Sequence, residues 1–238
     1  MATQPYKTIG LLGGMGPEAT VDLFRRIVRA TPATCDQEHL HILVDNDPSV
    51  PDRTEALLSD NLEPVVEKLT AMAQRLEAAG ADFLIVPCNT AHYFLDRVRL
   101  TVSIPFLDMI EETVTSLCRE HPAQRTVGLL ATTGTLRTRL YPRRAEKVSL
   151  TVVEPPATDQ AAVMAAIHSV KSRGANADAA SVFARVAAGL VAAGAQAVIA
   201  GCTEIPLALD ATSVSVPLVN PAEELAQAAV RMALGADA

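Results

Sequence analysis

The chain has 238 residues, 49% of them hydrophobic, and a formal charge of −7 at neutral pH. That is enough chain for one large α/β domain or two compact ones, while the acidic balance speaks against nucleic-acid or anionic-membrane partners, which call for basic patches. No apolar run approaches bilayer-spanning length, "MATQPYKTIG" lacks the apolar stretch of a signal peptide, and four cysteines with no CxxC pair suggest no disulfide framework. A soluble, reduced, cytoplasmic protein is expected.

In chain order, "KTIGLLGG" reads as a first buried strand. It runs into Gly14-Met15-Gly16-Pro17-Glu18-Ala19, a formal match to the dinucleotide fingerprint G-x-G-x-x-A. Glycine-rich turns with proline at the first helical position are also generic. "HLHILVDND" is a second strand, and "DNDPSVPDRTEALL" reads as a long polar loop. Within that loop Arg53 could clamp a carboxylate bidentately, or it could be a solvated arginine pairing with Asp52 or Glu55. In "NLEPVVEKLTAMAQRLEAAG", Leu62, Val65, Val66, Leu69, Met72, Ala73 and Leu76 recur along one helical face, and Gly80 supplies the stop. "DFLIVPCN" is a third strand, and the alternation of strand and helix predicts parallel sheets covered by helices.

The pattern then restarts. "TIGLLGGMGPEAT" from Thr8 aligns with "TVGLLATTGTLRT" from Thr126, "AAGADFLIVPCNT" aligns with "AAGAQAVIAGCTE" without a gap, and "IPFLDMIEE" aligns with "VPLVNPAEE". Three matches in the same order and at nearly constant offset predict two halves of similar fold related by a pseudo-twofold axis, each a small parallel sheet flanked by helices. Two copies of a long period are too few for a solenoid. The second copy keeps the strand of the fingerprint region but not its glycines, which weakens the dinucleotide reading.

The alignment sets Cys88 over Cys202. Ligands of open α/β sheets bind beyond the carboxyl ends of the strands, where both cysteines fall, so paired halves can present two thiols to one cleft. Asn89 and Thr90 in one half, and Thr203 and Glu204 in the other, read as helix openers whose N–H groups and dipole would favour thiolate. Two acid–base groups of one kind facing each other suit inversion of a carbon stereocentre: one removes a proton from one face and the other returns a proton to the opposite face. This geometry demands no cofactor. The plain alternative is that cysteine is a small buried hydrophobe, the reading given to Cys35 and Cys118. Thr132, Thr133 and Thr135 in "ATTGT" are ligand donors or helix caps, and Lys171 in "AAIHSVKSRGAN" is as open as Arg53. The five histidines form no metal-binding spacing. His92 either shares the site of Cys88 or is a partly exposed helical residue.

Taken together, "GLLGGMGPEAT", "SVPDRT", "PCNTAH", "ATTGT", "VMAAIHSVKSRG" and "GCTEIPL" resemble the aspartate/glutamate racemase family, whose members work without pyridoxal phosphate. The resemblance runs from Lys7 to near the end. It implies a first α/β domain over 1–108, a second over 109–219, an active site in the cleft between them, and a terminal helix over 220–238 packing back on the first domain. It also implies Cys88 and Cys202 as the two bases, Arg53 and Lys171 as carboxylate anchors, and Asn89, Thr90, Thr133 and Thr203 as further substrate contacts. Met15 would be a wall of the pocket. The expected partners are a small acidic amino acid and a second copy in a homodimer. Because relatives with threonine in place of the first cysteine tend to be one-sided, the retention of both cysteines implies turnover of L and D forms alike. Hydantoin racemases, arylmalonate decarboxylases and maleate isomerases share the scaffold, and a non-catalytic dicarboxylate-binding protein is a further alternative.

Overall fold

Short apolar runs form the strands and amphipathic runs form the helices. In the computed structural model, which describes residues 6–235, the first half runs β1 (Ile9–Gly13), α1 (Pro17–Ala30), β2 (Ile42–Asn46), α2 (Arg53–Leu58), α3 (Glu63–Ala78), β3 (Phe83–Ile85), α4 (Leu95–Val98) and α5 (Met109–Glu120). It continues with β4 (Thr126–Ala131), α6 (Thr133–Thr138), α7 (Leu140–Glu146), β5 (Thr151–Val153) and α8 (Ala157–Arg173). The chain closes with α9 (Ala177–Ala192), β6 (Ala197–Gly201), α10 (Ile205–Ala208), β7 (Leu218–Val219) and α11 (Pro221–Leu234). Residues 1–5 of the expected first domain and 236–238 of the expected terminal helix lie outside the described residues.

Among the described residues, β2-β1-β3 form one parallel sheet and β5-β4-β6-β7 another. β1 and β6 are buried along their whole length, which is why they read as continuous apolar runs rather than alternating ones. The two sheets share their strand order, and a parallel bridge from Leu84 to Phe106 takes the place beside β3 that β7 takes beside β6. The protein is therefore an α/β structure of two small parallel sheets flanked by helices, with the same topology in both halves. α3 buries Val65, Val66, Leu69, Met72, Ala73 and Leu76 as its periodicity predicts.

The two halves exchange helices. Ile110, Val114 and Leu117 of α5 pack with Val127, Leu129 and Ile199 of the second sheet. Leu225, Ala226 and Ala229 of α11 pack with Ile9, Leu11, Leu23 and Phe83 of the first. Each sheet is thus covered on one face by the helix that comes after the other sheet's last strand. Side chains at equivalent positions start these helices: Asp108 accepts from the Ile110 and Glu111 N–H groups, and Asn220 accepts from that of Ala222. Gly14, at φ 91°, makes the tight turn after β1, where a Cβ would stand 2.3 Å from the Asp47 backbone.

Two expectations need correction. The stretch after β2 is not a loop throughout, because Asp52 Oδ1 accepts from the N–H groups of Thr54 and Glu55 at 2.8 and 2.9 Å and so starts α2. Nor are Cys35 and Cys118 fully buried. Cys35 is exposed beside the polar turn Asp36–Glu38, and Cys118 lies half-buried on the flank of α5. No helix among the described residues is long and apolar enough to cross a membrane.

Candidate active site

β3 and β6 are equivalent strands, and the chain leaving each delivers a cysteine to the same inner cavity. Cys88 and Cys202 are 7% and 6% exposed. They line a space of about 20 Å³ together with Met15, Asp52, Arg53, Asn89, Thr90, Thr132, Lys171, Thr203 and Glu204. Of the residues to which the resemblance gives a role, Thr133 alone stands outside this wall. Its N–H lies 3.2 Å from Met164 Sδ and its hydroxyl accepts from Gln160 Nε2. The inner space adjoins a vestibule of about 620 Å³ that shares Asp52, Arg53, Lys171 and Glu204 with it.

Arg53 is buried, contrary to the surface alternative, and the reason is backbone geometry. Its Nη1 donates to the carbonyls of Val50 and Pro51 at 3.1 and 3.0 Å, and Nη2 reaches Met15 O at 3.5 Å. Its Nε is buried with no partner. Asn89 shows the same incompleteness: Oδ1 accepts from the Tyr141 hydroxyl at 2.6 Å, while Nδ2 is buried and unpartnered. Both orphaned donors belong to residues that line one small cavity, and buried donors without partners are costly. Lys171, on α8, stands at the mouth with a solvent-accessible side chain. Partial burial works against its charge, but the neighbouring Glu204 carboxylate acts the other way and its pKa is raised.

The expectation of a helix-activated thiolate does not hold at Cys202. Cys202 is followed by the four-residue α10, too short to add up a dipole, whereas the 3₁₀ turn Thr90–Tyr93 after Cys88 runs on into α4. Burial and the neighbouring Glu204 carboxylate instead push the Cys202 thiol well above its ordinary range, with Lys171 opposing them. Glu204 is 5% exposed, and its Oε2 accepts from Cys202 Sγ at 2.9 Å. Its reading as a helix opener misses this contact. The available signal is a carboxylate two residues beyond a paired thiol.

His92 is neither partly exposed nor part of the cavity wall. Its Nε2 accepts from the Met109 N–H at 3.0 Å, which leaves Nδ1 to donate to Cys88 O at 2.9 Å. The ring is buried, and burial lowers its pKa, so a neutral imidazole ties the Cys88 backbone to the start of α5. Thr90, Thr132 and Thr135 form a hydroxyl cluster across the halves, with both bonds from Thr90 at 2.9 Å. Thr132 also caps α6, so both roles considered for these threonines are filled within the protein.

The fingerprint-like turn is committed internally. Gly14 N–H donates to Thr20 Oγ1 at 2.9 Å and is not free for a phosphate. Glu18 and Glu204 flank the vestibule beside Gly16, an unfavourable lining for a dinucleotide. Among the described residues no group of three or more His, Cys, Asp and Glu side chains is arranged to hold a metal ion.

The family model described as Asp/Glu/hydantoin racemase matches residues 12–229. The chain belongs to this family. An aspartate racemase of Picrophilus torridus is 31% identical and superposes with a TM-score of 0.84, over 95% of this chain and 94% of that one. The chain is also 28% identical, over 137 residues, to the broad specificity amino-acid racemase RacX of Bacillus subtilis, a match spanning 56% of this chain and 58% of that protein. An aspartate racemase homologue from Pyrococcus horikoshii, 24% identical, shares the fold with a TM-score of 0.77 over 96% of this chain and 99% of that one. The two superposed structures share the two-sheet architecture.

Proposed function

We propose that this chain is a cofactor-independent amino-acid racemase that interconverts L- and D-aspartate, with glutamate the next candidate, by two-base proton transfer between Cys88 and Cys202. One observation carries the reading: two buried thiols, delivered by equivalent strands of two equivalent halves, line one small cavity beside two residues that carry unpaired hydrogen-bond donors. The likeness to an aspartate racemase supports the choice of substrate.

In this reading Arg53 and Lys171 anchor substrate carboxylates, Asn89 Nδ2 supplies a further donor, and Met15 closes the pocket. Thr90, Thr203 and, at the periphery, Thr133 complete the polar surroundings. One cysteine, as thiolate, takes the α-proton. The other, as thiol, gives its proton to the opposite face of the α-carbon. The cationic anchors and amide donor stabilise the enolate-like charge that develops between the two steps. The inner space holds about one water, so the halves must part to admit an amino acid, and closing over it expels solvent. Working thiols require a reducing compartment, which supports a cytoplasmic location in this reading. A homodimer is the expected assembly, to be read by light scattering.

The test is proton NMR in D₂O with L- and D-aspartate and L- and D-glutamate, each incubated separately under reducing conditions. Loss of the α-proton signal together with optical rotation for one pair names the substrate. Binding without exchange would identify a non-catalytic dicarboxylate-binding protein. No exchange and no binding with any of the four would overturn the acidic-amino-acid reading and turn attention to hydantoins, malonates and maleate.

A further inference from the structure

The turn after each half's first strand keeps a glycine at one matching position. The repeat that sets Thr8 over Thr126 sets Gly16 over Gly134, so the second copy lacks the first glycine of the fingerprint but keeps the second. Both glycines face the opposite half, at different distances. A Cβ on Gly16 would meet only Glu204 Oε1, at 3.7 Å, an ordinary contact. A Cβ on Gly134 would stand 2.8 Å from Thr54 Oγ1, 2.9 Å from Thr90 Cγ2 and 3.1 Å from Thr54 Cα. The vestibule lies on the loose side, where Gly16 and Glu204 line it. On the tight side, α6 of the second half is pressed against α2 and the Thr90 turn of the first.

Backbone conformation does not call for glycine at 134. The residue is buried within α6, where alanine is the better helix former, so what the position requires is space. Thr54 and Thr90 line the inner cavity, whereas Gly134 lies in neither cavity wall. We infer that Gly134 is a positioning residue that seals the cleft: lacking a Cβ, it lets α6 back Thr54 and Thr90 closely enough for the two halves to shut on the substrate. This rests on the racemase reading. Thr90 is clamped across the glycine, its hydroxyl bonded to Thr132 and Thr135 on either side at 2.9 Å and its methyl over Gly134. Thr54 directly follows Arg53 on α2. Because the Thr54 Cα is itself close, turning a side chain would not make room for a methyl at 134. α2 would have to recede, and the Arg53 anchor would go with it. Packing thus holds one wall of the cleft shut and leaves the vestibule beside Gly16 as the way in.

Gly134→Ala tests this with two readouts. In racemisation kinetics the added methyl should raise KM and lower kcat/KM by about 10–100-fold, the scale of a displaced anchor. In iodoacetamide alkylation, followed peptide by peptide by mass spectrometry, Cys88 and Cys202 should react several-fold faster relative to the exposed Cys35, whose rate is the internal reference. Rescue separates sealing from a general packing defect. Thr54→Ala together with Thr90→Ser removes the two nearest atoms and keeps the Thr90 hydroxyl. In the Gly134→Ala background this pair should return most of both effects, measured against the same pair with Gly134 intact. An unchanged KM with an unchanged alkylation ratio overturns the inference, and so does a loss that the pair fails to relieve. If the wild type exchanges no α-proton at all, it is the racemase reading that has failed, and the alkylation ratio with its relief alone decides whether Gly134 seals the cleft.

Discussion

Asn89 takes its role from a residue far along the chain. The Tyr141 hydroxyl, buried on α7, donates to Oδ1 at 2.6 Å and thereby leaves Nδ2 as the unpartnered donor of a residue that lines the cavity. Burial raises the phenol's pKa, so it remains a donor at any pH where the protein would work. Tyr141→Phe should lower stability by about 0.5–1.5 kcal/mol and raise KM several-fold, because the amide is then free to rotate. Thermal melts and racemisation kinetics would report the two effects separately. The thiols give a sharper contrast: Cys88→Ala and Cys202→Ala should each cost about 10²–10⁴-fold or more in rate, whereas Cys35→Ala should leave it unchanged. Retention of both-way turnover by either cleft variant would end the two-base idea. The two cysteines were legible because the repeat superposes them, and Arg53 because it sits in a recognisable motif. Tyr141 was not, since its value lies in a contact with a residue half a domain away that no local pattern encodes. Glu204 lay in plain view within "GCTEI", but whether a carboxylate after a strand end opens a helix or turns back on the preceding thiol depends on backbone angles.

Among the elements, α5 carries the largest consequence for the site. It begins where the first sheet ends, its first N–H pins His92 and through it Cys88, and its body packs under the other sheet. Asp108 sits at this joint, capping α5 and pairing with Arg99 and Arg144 at 3.0 and 3.5 Å. Burial works against its ionised form, but Arg99 and the Glu111 N–H outweigh it and hold the carboxyl below its usual range. A depressed carboxyl stabilises the fold above its unfolded pKa of about 3.9 and loses that contribution as pH falls through its lower folded value. Asp108→Ala should thus cost about 0.5–2 kcal/mol, the worth of a cap, at neutral pH. Urea titrations should show the gap between wild type and variant closing as pH drops below about 4; a constant gap would assign the residue a purely steric role. The major helices and strands were readable from periodicity. The short segments after the two cysteines were not: a few polar and small residues fit a 3₁₀ turn, as after Cys88, and a short α-helix, as after Cys202, equally well.

At the level of the whole molecule, the exchange of α5 and α11 makes each sheet depend on the other's chain. α11 packs Leu225, Val230 and a series of alanines into one core with residues of α1, β1 and β3 of the first half. Its far end is tied down where Lys7 N–H donates to Ala233 O at 3.0 Å, and Arg26 pairs with Glu223 along the seam. Leu225 and Val230 alone contribute about 1.5–3 kcal/mol each by burial, a substantial share of the about 5–15 kcal/mol that holds a typical domain together. A chain ending at Asn220 would expose Ile9, Leu11 and Leu23 of the first half, although every residue of β1, β2 and β3 would still be present. Such a truncation should lose its cooperative thermal transition and bind a hydrophobic dye, whereas Leu225→Ala in the full chain, costing about 2–5 kcal/mol, should melt earlier but still cooperatively. A wild-type melting midpoint in the truncated chain would mean that the first half stands alone and that α11 is an accessory. Loss of the first half's order, with the second sheet and its helices α8 and α9 still protected from hydrogen exchange, would locate the dependence in α11 itself. The pocket would be lost with it, because Met15, Arg53 and Cys88 all rest on the half that α11 covers.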